Sequence, residues 1–275
     1  DITTISPNSN VVQQTFKINK KRPLVVIGCA PCQGFSAHRK KDSDKPEDKR
    51  NTLIGYFSDI AVNLNPDFVV MENVPEILTG KYKMHYEEAK NVFIQNGYYV
   101  VQRVYNAAGF GVPQARIRAI IVASKYKNFV LPDEMLSVEE YKTVRDAIAD
   151  LPHVDARHQT QLVDRYHRCS THKQSTIDVI AQVPHDGGSR PKGIGPKCLD
   201  KVNGFSDVYG RLRWDKPSIT ITQYARNPAS GRYSHPEQNR GLTIREVARL
   251  QSFPDGYLWN GSLGDAFKQI GEAVP

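Results

Sequence analysis

The stretch Leu24-Val25-Val26-Ile27-Gly28-Cys29-Ala30-Pro31-Cys32-Gln33-Gly34-Phe35-Ser36 decides the fold. Its first five residues are a short apolar run without a polar interruption, which predicts a buried strand of a parallel sheet. Pro31 and Gly34 then stiffen and expose the turn that follows. Outward from it, Asp67–Met71 (DFVVM) predicts a second buried strand, and Thr52–Leu64 between the two has helical spacing. Met84–Gln95 predicts a helix closed by Asn96-Gly97, and Tyr98–Tyr105 and Ile117–Ala123 predict two more strands. Strands alternating with helices indicate an α/β layered domain.

The character changes after about residue 145. His153–Gly241 is rich in Gly, Pro, His and Arg and has little periodicity. Within it, His185–Lys197 (HDGGSRPKGIGPK) predicts a cationic loop carrying His185, Arg190, Lys192 and Lys197. Order returns at Thr243, which with Glu246 fits a capping box ahead of the helical run Arg245-Glu246-Val247-Ala248-Arg249-Leu250-Gln251.

Composition sets outer bounds. The 275 residues are 39% hydrophobic and 24% charged, as in ordinary globular chains, and suffice for one large domain or two modest ones. No apolar run approaches the length of a membrane-crossing helix, and no basic-then-apolar leader opens the sequence. The net charge of +8 suits a polyanionic partner, most simply nucleic acid. The cysteines are Cys29, Cys32, Cys169 and Cys198. Cys29 and Cys32 have the spacing of a redox pair or half a zinc site, but no second close pair completes a tetrahedral set, so no metal is expected. Without a secretory leader, reduced thiols and a cytoplasmic setting are expected.

Three short segments can carry chemistry. At the carboxyl end of a strand in a wound sheet, Cys32 is either a small buried hydrophobe or a nucleophile. Glu72, in Glu72-Asn73-Val74, follows a buried apolar strand, a costly place for a carboxylate unless it is partnered or functional. Arg116 and Arg118, two residues apart, share one face at strand spacing and suit carboxylate or phosphate. Each also has a bland alternative, as a solvated strand end or an outward-facing strand residue.

Taken in order, Pro31-Cys32-Gln33-x-Phe35-Ser36, Glu72-Asn73-Val74, Gln114-x-Arg116-x-Arg118, a variable basic segment, Leu242-Thr243-x-Arg245-Glu246-x-Ala248-Arg249-Leu250-Gln251-x-Phe253-Pro254 and Gln269-Ile270-Gly271-x-Ala273-Val274-Pro275 resemble the C5-cytosine-specific DNA methyltransferases of bacterial type. The resemblance runs from residue 1 to residue 275. It implies a Rossmann-like sheet of the S-adenosylmethionine-dependent methyltransferases with a smaller, irregular target-recognition domain. It assigns residues 1–150 to the catalytic core, 151–240 to target recognition and 241–275 to a return to the core.

The resemblance also implies roles. Cys32 adds to C6 of a flipped-out cytosine, because C5 alone is too poor a nucleophile to take a methyl group. Glu72 contacts N3 and the exocyclic amine, Asn73 fixes its loop, Arg118 contacts the base and the glutamate, and Arg116 touches phosphate or the active-site loop. S-adenosylmethionine is the methyl donor, and Asp1, Ile2, Pro31, Leu53, Glu272 and Val274 match its contacts. Gln33, Ser36, Arg190, Lys192, Lys197, Arg226 and Arg232 are implied DNA contacts. His38–Arg50 corresponds to a catalytic loop. Duplex DNA is the implied partner, without a membrane, and the enzyme is expected to act as a monomer.

Two departures qualify these expectations. The family's Asp-Leu-Phe-x-Gly-x-Gly loop is absent from the sequence, and Glu272 stands where the family usually has Asn. The chain is therefore expected to begin after the first cofactor elements, leaving the Leu24–Gly28 strand with an unpaired apolar edge. A separate N-terminal fragment could complete it. The competing readings are a non-catalytic DNA-binding fragment or one half of a split methyltransferase, a tRNA methyltransferase of related fold, and a thiol or zinc protein using Cys29 and Cys32.

Overall fold

The computed structural model describes residues 2–6, 10–15, 18, 21–31, 49–157, 163–201 and 207–275. Two compact units divide the chain: Asp1–Tyr105 with Ile117–Asp133, and Asn106–Arg116 with Glu134–Pro275.

The first unit is a sheet layered with helices. A 3-10 turn at Ile2–Thr4 and the short helix α1 (Val11–Thr15) precede β1 (Val25–Gly28). Then come α2 (Leu53–Leu64), β2 (Phe68–Asn73), α3 (Glu76–Thr79), α4 (Met84–Gln95), β3 (Tyr99–Asn106) and β4 (Ile117–Ser124). The strand order is β1-β2-β4-β3. β1 runs parallel to β2, whereas β4 runs antiparallel to it, so the expected parallel sheet is mixed.

Pleating sorts the strand residues. Val69, Met71, Ala119, Ile121 and Ala123 pack against Ile54 and Ala61 of α2 and Tyr86, Ala89 and Phe93 of α4. The last three recur at helical spacing, which is why a segment of mixed polarity holds as a helix. Burying a side chain such as Phe93 contributes about 1.5–3 kcal/mol. At the end of β1, a Cβ on Gly28 would lie 2.2 Å from the Phe57 ring of α2, so only glycine lets that helix approach.

Two expectations are corrected here. β1 has the unpaired apolar edge expected of it among the described strands, but it is not the buried strand its composition predicts, with Ile27 70% and Val25 48% exposed. Composition reports that a strand is apolar but not which neighbours reach it. The second strand does not stop at Met71: Glu72 and Asn73 lie inside β2, because both pair across to Ile120 and Ala119 of β4.

The second unit contains α5 (Val144–Ile148), α6 (Gln174–Ala181), α7 (Ile244–Leu250) and α8 (Leu263–Glu272). Its core joins Val144 and Ile148, Leu212, Trp214, Ile221 and Tyr233, and Ile244, Val247, Ala248, Leu250, Phe267 and Ile270. α7 is capped as the sequence predicts: Thr243 Oγ1 accepts from Glu246 N at 3.1 Å, and the Glu246 carboxylate accepts from Thr243 N at 2.7 Å. α6 has no counterpart among the sequence expectations. It lies in a Gly- and Pro-rich region and is held by Val179 and Ile180, which bury against Val183, Val208 and Tyr209.

Candidate active site

In the first unit the antiparallel register makes a charged pair. Glu72 stands opposite Ile120, so Arg118, two residues along β4, is its diagonal neighbour on the same face. Arg118 Nε lies 2.8 Å from Glu72 Oε1, with side-chain exposures of 18% and 13%. The contact is one of charge rather than of alignment: Oε1 is buried and receives no hydrogen bond among the described residues. Arg118 Nη1 donates to the Ile117 carbonyl at 2.7 Å. A carboxylate held this way keeps unused capacity for a donor or a proton.

Asn73, 2% exposed, is the next residue on β2. Its Nδ2 donates to the Ala30 carbonyl at 3.1 Å, and its Oδ1 accepts from Val74 N at 2.9 Å. The amide thereby ties the end of β2 to the turn that leaves β1, two residues ahead of Cys32. Cys32, Gln33, Ser36 and Asp1 lie outside the described residues, as does most of His38–Arg50.

The remaining cofactor candidates divide between the units. Ile2 belongs to the 3-10 turn that packs on α2, Leu53 opens α2, and Pro31 follows β1; all three are partly exposed. Their chemistry fits an adenine ring and a thioether chain, which bury apolar area and ask for few polar partners. Glu272, the last residue of α8, and Val274 are exposed in the second unit.

Arg116 and Arg118 do different things. Arg116 precedes β4, belongs to the second unit and is only 6% exposed. Its Nη1 donates to the Ile221 carbonyl at 3.3 Å, and its backbone closes on Asn106 and Ala107. Beside it, the wholly buried Gln114 donates to the Leu250 carbonyl and to Gln251 Oε1, and accepts from Ile221 N at 3.0 Å. Sequence reasoning gave Gln114 no role. Its place in the Gln-x-Arg-x-Arg motif was the available signal.

The implied DNA contacts also separate. Arg190 pairs with Asp200 at 2.9 Å and donates to the carbonyls of Ile194 and Pro191, leaving its side chain 7% exposed. Arg232 binds Asp207 at 3.0 Å, Ser189, and the carbonyls of Gly187, Gly188 and Arg211. Lys192, Lys197 and Arg226 are exposed. The histidines beside Cys169 serve the scaffold: His167 contacts Thr243 Oγ1 at 3.1 Å and the Pro152 carbonyl at 2.8 Å, and His172 accepts from Gly241 N at 3.2 Å.

A model of the C-5 cytosine-specific DNA methylases matches residues 1–275. The chain belongs to the C-5 cytosine-specific DNA methylase family. Among relatives of this methylase, the type II methyltransferase M1.HphI of Haemophilus parahaemolyticus is 36% identical over all of the chain and 70% of its own length. The type II methylase M.HgiDII of Herpetosiphon aurantiacus is 34% identical over 91% of the chain and 72% of its own length. Among solved structures, an E. coli prophage protein described as a DNA modification methyltransferase superposes with a TM-score of 0.69 at 22% identity, covering all of the chain and 80% of that protein. Spodoptera frugiperda DNMT2 superposes with a TM-score of 0.59 at 16% identity over all of the chain and 80% of that protein. The methylase thus has the Rossmann-like fold of S-adenosylmethionine-dependent methyltransferases, and S-adenosylmethionine is its methyl donor.

Proposed function

We propose that this methylase modifies C5 of a flipped-out cytosine in a specific duplex sequence, with Cys32 as the nucleophile. The observation that carries the reading is the Glu72–Arg118 pair, in which a buried carboxylate oxygen is charge-matched but receives no hydrogen bond among the described residues. Such an oxygen suits a ring nitrogen that must be protonated or hydrogen-bonded as charge develops. The Cys32 thiolate forms a bond to C6, and the C5–C6 π pair moves onto C5 and into the ring. A proton delivered to N3 through Glu72 offsets that charge, while Arg118 holds the carboxylate in place. Asn73, through Ala30, orients the turn leading to Cys32. Ile2, Pro31 and Leu53 would hold the apolar parts of S-adenosylmethionine, which would supply C5 with the methyl group of its sulfonium as the S–CH3 bond breaks and the sulfur leaves as a thioether. Loss of the C5 proton to water and cleavage of the S–C6 bond return the thiolate.

We assign the catalytic core to residues 1–150 and 241–275 and target recognition to 151–240, with Arg226, Lys192 and Lys197 toward DNA and Gln33 and Ser36 beside the flipped base. The type II relatives support a place in a bacterial restriction-modification system, and we assign the enzyme to the cytoplasm as a monomer on DNA. The test uses duplex DNA carrying 5-fluorocytosine with S-adenosylmethionine added. A stable protein–DNA adduct is expected with the native chain and none with Cys32→Ser; an adduct with the serine variant, or none with either, would remove the proposal.

A second reading, one half of a split methyltransferase, is favoured by the apolar edge of β1, which among the described residues pairs with β2 alone. Methylation that requires a separate fragment carrying the family's glycine-rich loop supports it. Methylation by the chain alone excludes it.

A further inference from the structure

Two buried glutamines of the second unit meet amide to amide. Gln251, the residue that closes α7, is 1% exposed. Its Nε2 donates to the carbonyls of Ile270 and Ala273 at 2.7 and 3.1 Å. Ile270 lies in the last turn of α8 and Ala273 follows it, so this amide meets carbonyls that a helix end leaves without partners. Gln251 Oε1 faces the other way and accepts from Gln114 Nε2 at 2.7 Å. Gln114 also donates to the Leu250 carbonyl at 3.0 Å and accepts from Ile221 N at 3.0 Å. The Ile221 carbonyl in turn accepts from Arg116 Nη1 at 3.3 Å. Hydrogen bonds therefore run without a break from the residues around Glu272 to Arg116. A second brace lies beside them: a Cβ on Gly271 would sit 2.0 Å from Gln223 N, so α8 rests directly on the backbone two residues past Ile221.

We propose that Gln251 and Gln114 form a relay that sets the cofactor segment at 272–274 and Arg116 in register with each other, so that both glutamines are positioning residues for methyl transfer and neither touches cofactor or DNA. The proposal rests on reading Glu272 and Val274 as contacts of S-adenosylmethionine and Arg116 as part of the catalytic site. Each amide uses both hydrogens of its Nε2 and a lone pair of its Oε1. Reversing Gln251 would set its oxygen against two carbonyls, and a carboxylate there would do the same with a charge. Methionine has a similar length but no donor. Breaking either amide strands polar groups away from water, so the bonded arrangement is strongly preferred over any other. Side chains locked in this way are what hold reacting groups within about 0.5 Å of productive geometry.

The test starts with the native full chain. S-adenosylmethionine added without DNA is expected to slow hydrogen exchange of the Ile221 amide several-fold, read by NMR, because that N–H ends on Gln114 Oε1 at the far side of the relay. Protection confined to residues 263–275, or none at all, overturns the relay. Gln114→Met lies outside the assigned cofactor contacts, yet it is expected to weaken S-adenosylmethionine binding about tenfold in equilibrium dialysis. Gln251→Met is expected to weaken it equally and, with cofactor saturating, to lower kcat about tenfold. On the Gln251→Met background, Gln114→Met is expected to change cofactor affinity no further, since the relay is already cut. A loss of about 100-fold in the double variant would mean two independent contributions and overturns the proposal. So would lower urea midpoints in both variants with Kd and kcat at native values, the mark of a purely structural role. The exchange measurement needs no variant and decides the matter if neither variant folds. Protection of Ile221 with no adduct on 5-fluorocytosine DNA leaves the relay standing and removes the chemistry assigned to Cys32.

Discussion

Among the described residues, two glutamate–arginine pairs differ in completion. Glu246 and Arg240 in the second unit are each 1% exposed and bonded twice, with Nη1 to Oε2 at 2.9 Å and Nη2 to Oε1 at 2.7 Å. The same carboxylate caps α7 through Thr243 N. Burial alone would push Glu246 up, but the Arg240 charge and hydrogen bonds, with His235 and Thr243, hold it down at about 2. Glu72 and Arg118 in the first unit share one charge contact, and one buried oxygen receives no hydrogen bond. A pair that satisfies every atom organises the fold, whereas a pair that leaves an atom unmet stays open to a ligand.

The sharpest way to break this contrast is to remove each acid. Glu246→Ala strands a buried guanidinium and is expected to cost about 3–5 kcal/mol in urea unfolding. A drop in stability below about 1 kcal/mol would mean that Arg240 finds water and that the pair is not structural.

Acid should reach the second unit next. His235 is 4% exposed, and its Nδ1 accepts from Glu237 N and Gln238 N at 3.1 and 3.0 Å. Burial pushes its pKa down from 6.5 to about 4, with the Arg240 and Arg211 charges adding to that and Glu246 opposing it. The unfolded chain therefore takes up the proton first. The stability contributed by neutral His235 is full above pH 6.5 and drains as pH falls toward 4, at about 1.4 kcal/mol per pH unit. Glu246 adds a second decline as pH falls from 4.5 through about 2. Equal urea midpoints at pH 7 and pH 4.5 would refute the assignment of a neutral, buried imidazole.

Glu72→Gln should show the opposite profile from Glu246→Ala. Methyl transfer is expected to fall by about 10²-fold or more, while stability changes by less than about 1 kcal/mol. Destabilisation with activity intact would reverse the two roles.

The smallest effect belongs to the cap. Thr243→Ala removes the N-cap hydroxyl but leaves the Arg240 pair in place, so about 1 kcal/mol is expected. A much larger effect in thermal unfolding would mean that Thr243 Oγ1 does more for His167, 3.1 Å away, than for the helix.

Local signals in the chain were enough for the helix at Met84–Gln95, for the β-strands to within a few residues and for the Thr243–Glu246 cap. Each depends on interactions between residues a few positions apart, through helical spacing, strand alternation or a three-residue capping span. The motifs also carried the family, because their order survives without coordinates. Folding alone decided the uses to which those residues are put. Arg190, Lys192 and Lys197 read as equivalent cations in one loop, yet Arg190 is turned inward by Asp200 and both lysines stay outside. The apolar Val25 and Ile27 are exposed, while the charged Glu246 is fully enclosed. Burial depends on which distant segments arrive at a residue and what charge they bring, and the residue type alone does not hold that information.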